Sequence, residues 1–181
     1  MKGKVLFLAL IAIALVLAGC AQLGAADTEG SACPEPGQGT ALLTNETSGY
    51  CFLYPDRYLV EARDNADILV IDSIMNHIDP RADIQVEDAN GRTAADAADE
   101  MTGGFSAEMG LERSTVTLGG EEAVVIDNYP GQEISRLVFV VHGDRLYRLS
   151  VTHTSSDLGD TYTQAENLYT VIINSFGFLP Q

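Results

Sequence analysis

Short apolar runs alternate with turn residues through the second half of the chain. The runs lie near 113–118, 121–127, 133–141 and 145–153, and the turns lie at 119–120, 129–131 and 142–144. Glycine adopts positive φ without strain and proline fixes its own φ, as tight hairpins require. The pattern therefore predicts four consecutive antiparallel strands. Because 137–141 is wholly apolar, at least part of this sheet is expected to be covered on both faces.

Shorter strand patterns fill the first half. Strands are predicted at 50–54, 58–61, 67–73 and 83–87, with turns at 55–57 and 88–91. The run 67–73 has a continuous apolar centre, which is typical of a strand buried on both faces.

A first helix is predicted to begin at Thr93, because Asp96 three residues later completes a capping-box pair. Gly103-Gly104 is expected to stop it. Its apolar stripe comprises Ala94, Ala97, Ala98 and Met101.

A second helix is predicted to begin near Thr161 or Thr163, which have Gln164 and Glu166 at capping-box spacing. Its apolar stripe comprises Ala165, Leu168, Ile172 and Phe176. A mainly antiparallel sheet with two helices defines an α+β domain.

The N-terminus has the pattern of an export signal. A basic start with Lys2 and Lys4 precedes the uncharged apolar run 5–16, which is too short to span a bilayer well. The following Leu17-Ala18-Gly19-Cys20 resembles the bacterial lipobox, whose cysteine is acylated and becomes the new N-terminus. The resemblance implies lipid attachment at Cys20 and a position on the outer face of the cell membrane. The alternative is an ordinary signal peptide in which Cys20 is incidental.

Three segments follow from this interpretation. Residues 1–19 are the lipoprotein signal peptide, and 20–39, rich in Ala, Gly, Ser, Thr and Pro, is a flexible tether. Residues 40–181 are long enough for one domain with its own core.

The charge of the exported part limits its partners. Both lysines lie in the signal, so the mature chain has eight arginines against 26 acids, a formal charge of −18. Nucleic acid is therefore not expected as a partner. Contact with the bilayer is expected only through the acyl anchor. The acids are spread along the chain, as on a solvated surface.

Cys33 and Cys51 are expected to form a disulfide, because paired cysteines are common outside the cytoplasm. Closing this loop stabilises the fold by roughly 3 kcal/mol on the chain-entropy estimate. A redox role is disfavoured because the Cys-x-x-Cys spacing is absent.

Several kinds of catalysis are excluded by composition. Without lysine in the mature chain there is no Schiff-base, P-loop or Ser-x-x-Lys chemistry. Ser106 lacks the second glycine of a nucleophile elbow, since Glu108 stands there. We therefore predict no catalytic residue and no cofactor.

A metal site is the alternative considered for His77 and Asp79 together with Asp83. A polar loop before Pro80 explains them more simply, because no His-rich or Cys-rich spacing accompanies them. The acidic segments 64–67 and 88–91 lack the alternating ligands of a calcium loop. No metal is predicted.

Arg136 and Arg148 lie inside otherwise apolar strands. They either pair with surface carboxylates or face a cleft and bind an anionic group, for which the planar arginine fork is suited. They are the candidate ligand-binding residues.

Three short motifs resemble the PsbP-like family, which includes extrinsic photosystem subunits and bacterial lipoproteins. They are Phe52-Leu53-Tyr54-Pro55-Asp56-Arg57-Tyr58, Arg145-Leu146-Tyr147-Arg148-Leu149 and Ile173-Asn174-Ser175-Phe176-Gly177-Phe178. Tyr58 departs from the tryptophan that many members carry. The resemblance implies an α-β-α sandwich used for binding and scaffolding, and it transfers no functional residue.

Three functions remain open from the sequence. The first is a non-catalytic binding or accessory domain for an envelope protein or a small ligand. The second is a structural or stress-related envelope lipoprotein without a specific ligand. The third is a hydrolase of envelope polymers, which would need two carboxylates converging in one pocket.

Overall fold

The computed structural model describes residues 33–63, 66–71, 75, 77–105 and 109–180. The predicted signal peptide, Cys20, the tether before Cys33, and Ser106 lie outside these residues. The strands are β1 (Thr40–Asn45), β2 (Tyr50–Pro55), β3 (Leu59–Arg63), β4 (Ala66–Val70), β5 (Ala82–Asp88), β6 (Glu112–Leu118), β7 (Glu121–Tyr129), β8 (Ser135–His142), β9 (Arg145–Thr152) and β10 (Gly177–Phe178). The helices are α1 (Ala94–Thr102) and α2 (Asp160–Ser175).

A seven-stranded antiparallel sheet has the order β3-β4-β5-β9-β8-β7-β6. The predicted meander is β6 to β9. Its first and third hairpins turn at Gly119, Gly120 and Gly143, all with positive φ, and its second connection runs through residues 130–134. Strands β3, β4 and β5 join the meander where β5 pairs with β9, from Ala82 opposite Val151 to Asp88 opposite Arg145.

A second sheet has the order β1-β2-β10. The pattern predicts only its central strand β2, because β1 shows no strict alternation of polar and apolar residues and β10 has only two residues. The predicted disulfide between Cys33 and Cys51 is confirmed, with the two Cα atoms 5.6 Å apart. It attaches the segment before β1 to β2.

The large sheet is the middle layer of the fold. Helix α2 and the small sheet pack on one face around Phe52, Leu149 and Leu168, and α1 packs on the other around Phe139 and Leu146. Residues 67–70 of β4 are all buried, as predicted for a strand covered on both faces. The α+β class and the α-β-α layering are confirmed. Within the described ranges, no helix combines the length and apolar character needed to cross a membrane.

Helix α1 begins as predicted. The Thr93 side chain accepts a hydrogen bond from the Asp96 backbone N–H (3.1 Å), and the Asp96 carboxylate accepts one from the Thr93 N–H (2.8 Å). These two bonds satisfy N–H groups that have no partner within the helix. Gly103 follows the helix as its C-terminal cap.

The capping prediction for α2 is wrong. The helix begins at Asp160, its N-cap is Gly159 with φ of 57°, and no side chain caps it. The Thr163 hydroxyl instead donates to the Gly159 carbonyl oxygen (3.3 Å) from within the first turn. Its predicted stripe is confirmed, since Ala165, Leu168 and Ile172 are buried, as is Phe176 just beyond the helix.

A buried carboxylate joins the two sheets. Asp67 of β4 is only 5% exposed, and it accepts hydrogen bonds from the Tyr50 hydroxyl (2.5 Å) and the Asn45 side-chain amide (2.7 Å). Burial, reinforced by Asp67, raises the pKa of Tyr50 far above its ordinary value, so this hydroxyl remains a donor.

We expect Tyr50→Phe to lower the free energy of unfolding by about 1–3 kcal/mol, because it removes a donor from a buried carboxylate. Urea unfolding measures the change. Tyr162→Phe, at a partly exposed position, is the matched control and should alter stability by much less. Equal effects of the two substitutions would contradict a stabilising role for the Tyr50–Asp67 hydrogen bond.

Candidate functional site

A cleft lies on the α1 face of the large sheet. Helix α1 packs on β7 and β8, and polar side chains of β5 and β9 lie beside it. Two cavities of about 250 and about 290 Å³ occupy this region. Both are lined by Met101 of α1 and Arg148 of β9, so they adjoin there. We refer to the two together as the cleft.

The first cavity has an apolar lining on one side. Ala97 and Met101 line it from the helix, and Phe139 and Leu146 from the sheet. Gln85 and Arg148 add polar groups from β5 and β9.

An ion-pair bridge lies at the wall of the first cavity. The Arg92 guanidinium contacts the carboxylates of Glu87 (2.8 Å) and Glu100 (3.0 Å), and all three residues line the cavity. Arg92 therefore joins the end of β5 to the outer side of α1, and two acids of the cleft have a basic partner.

The second cavity has more polar residues in its lining than the first. Its lining includes Arg81, Asp83, Tyr129, Gln132, Glu133, Ser135, Ser150 and Thr152. Hydroxyl, amide and carboxylate groups thus face one cavity from β5, β8, β9 and the connection between β7 and β8.

Three side chains form a hydrogen-bonded row between the cavities. The Gln85 carbonyl oxygen accepts a hydrogen bond from Arg148, and the Gln85 amide nitrogen donates one to Asp83 (3.1 Å). The orientation of the amide is fixed, because a guanidinium only donates and an ionised carboxylate only accepts. Gln85 therefore links Asp83 to Arg148 by hydrogen bonds. The Asp83 carboxylate and the Arg148 guanidinium do not approach within the 4.0 Å of an ion pair.

Burial raises the pKa of the Asp83 carboxyl, although Arg148, Ser150, Arg81 and Gln85 each oppose this shift. Desolvation disfavours the charged form, and none of these neighbours fully compensates for the lost water. The cleft thus contains a carboxylate in a poorly hydrated position, close to a guanidinium.

The rim of the second cavity contains an irregular strand. The pairing of β7 with β8 shifts register between Ile126 and Tyr129, and Asn128 has φ of 59°. Bulges of this kind change the direction of the side chains that follow. Here Tyr129 packs edge-on against Phe105 with ring centroids 5.3 Å apart, and its hydroxyl lies 3.2 Å from the Met101 sulfur.

The two candidate arginines lie on opposite faces of the sheet. Arg136 contacts Asp127 (2.5 Å) and Glu166 of α2 (2.9 Å), and its guanidinium lies 4.3 Å from the Tyr169 ring centroid. These contacts match the alternative in which it pairs with carboxylates. Of these two arginines only Arg148 lines the cleft, so the ligand-binding hypothesis is carried forward for Arg148 and not for Arg136.

The histidines have separate surroundings. The His153 ring bonds to the Thr152 hydroxyl (2.9 Å) and to the His77 backbone carbonyl (3.1 Å). His142 lies 3.0 Å from Glu121 and stacks on Phe178. Over the described part of the chain, no three His, Cys, Asp or Glu side chains converge as metal ligands do.

Gln85, Met101 and Tyr129 contribute to the cleft but were not predicted as site residues. A signal exists in the strand periodicity, since Asp83, Gln85 and Glu87 alternate with apolar residues, as do Arg148 and Ser150. What the sequence does not reveal is that these two polar rows lie side by side.

Comparison with known proteins gives structural matches only. No protein-family model and no curated protein matches the sequence. The solution structure of cyanobacterial PsbP (CyanoP) from Synechocystis sp. PCC 6803 is similar, with 15% identity, a TM-score of 0.52, and 81% of this chain and 96% of that chain covered. At this identity the likeness establishes the fold, and it agrees with the PsbP-like resemblance of the sequence.

Two further structures match. A protein of Bacteroides thetaiotaomicron VPI-5482 has 12% identity and a TM-score of 0.51, covering 80% of this chain and 50% of that chain. LpqN, involved in cell envelope biogenesis of Mycobacterium tuberculosis, has 14% identity and a TM-score of 0.44, and the match covers 78% of this chain and 91% of that chain. The LpqN match is too distant to carry an inference.

We expect Asp83→Asn to raise the melting temperature by a few degrees at pH 7. From the ordinary carboxyl pKa of 3.8 up to the raised pKa of Asp83, the folded state binds more protons than the unfolded state. Stability from this group therefore falls as pH rises through that window. The gain from Asp83→Asn should shrink toward pH 3, as measured by thermal unfolding at several pH values.

Asp157→Asn is the control, because Asp157 is exposed and its removal reports the general effect of one fewer acid. An Asp83→Asn gain no larger than that of the control, or one that is independent of pH, would contradict the argument from desolvation.

Proposed function

We propose that this chain is a lipid-anchored extracytoplasmic protein whose folded domain binds, without catalysis, an envelope component in the cleft beside α1. The bound component is a small ligand or a group presented by an envelope protein. The observation that carries the proposal is a formed cleft with both apolar and charged walls, since such clefts are the usual binding sites of proteins.

The anchor is supported by the order of features at the N-terminus. A basic start, an apolar run and Leu17-Ala18-Gly19-Cys20 stand in the arrangement of lipoprotein signals. The disulfide between Cys33 and Cys51 fits an oxidising location. Two or more acyl chains would hold the protein stably at a membrane.

Binding is favoured over hydrolysis by the state of three of the four acids that line the cleft, the fourth being Glu133. Glu87 and Glu100 are both paired with Arg92, and Asp83 accepts a hydrogen bond from Gln85. A glycosidase needs one acid free to donate a proton and another free to act as nucleophile or base. These three acids are instead engaged in contacts that shape the cleft.

Cys20→Ala should abolish incorporation of an alkyne-tagged palmitate analogue, because it removes the acylated thiol. Metabolic labelling in the native host, read by gel fluorescence, measures this. Cys33→Ala, which removes a cysteine outside the lipobox, is the control and should retain the label. Equal labelling of the Cys20→Ala protein would contradict the anchor.

A photo-cross-linking amino acid at position 101 should capture a discrete adduct in intact cells, because Met101 lines both cavities. The same amino acid at position 158 is the control, since Leu158 is exposed outside the cleft. Mass spectrometry of the purified protein identifies the adduct. A purely structural envelope lipoprotein would give the same background at both positions, and that result would contradict the proposal.

A further inference from the structure

We propose that the cleft takes a small monocarboxylate with a compact apolar body, whose carboxylate binds Arg148 and whose body occupies the first cavity. This inference rests on the proposed function and specifies the chemical class of its ligand. It is argued from the partners of Arg148, the balance of nearby charge and the walls of the cavity.

The Arg148 guanidinium is available to a ligand. It donates one hydrogen bond to the neutral carbonyl of Gln85, and within the described residues no carboxylate lies within ion-pair distance of it. Arg92, the other arginine of the first cavity, already pairs with Glu87 and Glu100. A guanidinium has five N–H donors, so Arg148 retains a fork for a planar acceptor.

The surrounding charge favours a monoanion. Asp83 lies near enough to Arg148 for the two to interact electrostatically, but Gln85 keeps them from direct contact. One guanidinium binds one carboxylate in a bidentate manner. A dianion such as phosphate bound at Arg148 would be repelled by the Asp83 carboxylate, and Arg81, the other arginine that acts on Asp83, lines only the second cavity. An ammonium group at the same place would be repelled by Arg148.

The walls of the first cavity define the rest of the ligand. Ala97, Met101, Phe139 and Leu146 offer apolar contacts beside Arg148. The volume is about 250 Å³, whereas a cavity of about 150 Å³ holds benzene. The space therefore fits a ring, or an equivalent aliphatic group, with a short chain leading to the carboxylate.

The test uses the purified full protein in phosphatidylcholine nanodiscs, with empty nanodiscs as the blank. Phenylacetate, 3-phenylpropionate and 4-phenylbutyrate are titrated by calorimetry beside the matched neutral amides. We expect the carboxylates to bind and affinity to rise roughly fourfold per methylene until the cavity is full. The amides should bind roughly 10- to 100-fold more weakly, since a hydrogen bond to a charged group is lost.

Two variants assign the contact to Arg148. Arg148→Gln should weaken carboxylate binding by roughly 10- to 100-fold and leave amide binding nearly unchanged. A substitution that disturbed the structure of the cleft would instead weaken the binding of both carboxylates and amides. Gln85→Glu, nearly isosteric, should also weaken carboxylate binding, because it places an acid directly on Arg148. Arg63→Gln removes the same charge from exposed β3 and should have no effect.

Failure of the inference can be told apart from failure of the proposed function. If carboxylates and amides bind equally, or Arg148→Gln affects both alike, the carboxylate class is wrong. If none of the acids binds while the adduct at position 101 persists, the cleft binds another class of molecule and this inference alone falls. If binding and adduct are both absent, the inference and the proposed function fall together.

Discussion

The pairing of β5 with β9 is the contact on which the rest of the structure depends. It joins β3, β4 and β5 to the meander through seven residue pairs, and it fixes which side chains share a face. Ile84 opposite Leu149 contributes to the core under α2, while Gln85 opposite Arg148 faces the cleft. A shift of one residue would exchange these faces, exposing the core and burying the charges.

Helix α1 determines how much of the polar surface of the large sheet remains uncovered. Its stripe is built on alanines, of which Ala97 and Ala98 are buried, and the helix packs on β7 and β8. Small side chains allow close approach to the sheet but cover little area. The row of Asp83, Gln85 and Arg148 is consequently left lining the cleft beside the helix, where the side chains are partly dehydrated and still reachable.

Much of the fold could be predicted because its signals are local. The capping pair of Thr93 and Asp96, the glycine turns of the meander, and the stripe of α2 each involve residues within a few positions of one another. The start predicted near Thr161 lies one residue from the observed start at Asp160, and only the cap of α2 is wrong. Capping-box spacing such as that at Thr161 and Thr163 is common, whereas a Gly159 cap leaves no side-chain pattern. Strands β1 and β10 were missed because each is held by pairing with β2.

The sequence by itself determined the acidic charge, the α+β class and the disulfide partners, and it predicts export and lipidation at Cys20. It also identified Arg148 as unusual, since a charge inside an apolar strand is visible without a structure. The separate roles of Arg136 and Arg148 were decided only by the tertiary structure, which gives Arg136 carboxylate partners from β7 and α2 and gives Arg148 a cleft. The physical reason is that periodicity places a side chain on one face of a strand, but only the packing of distant elements decides what covers that face.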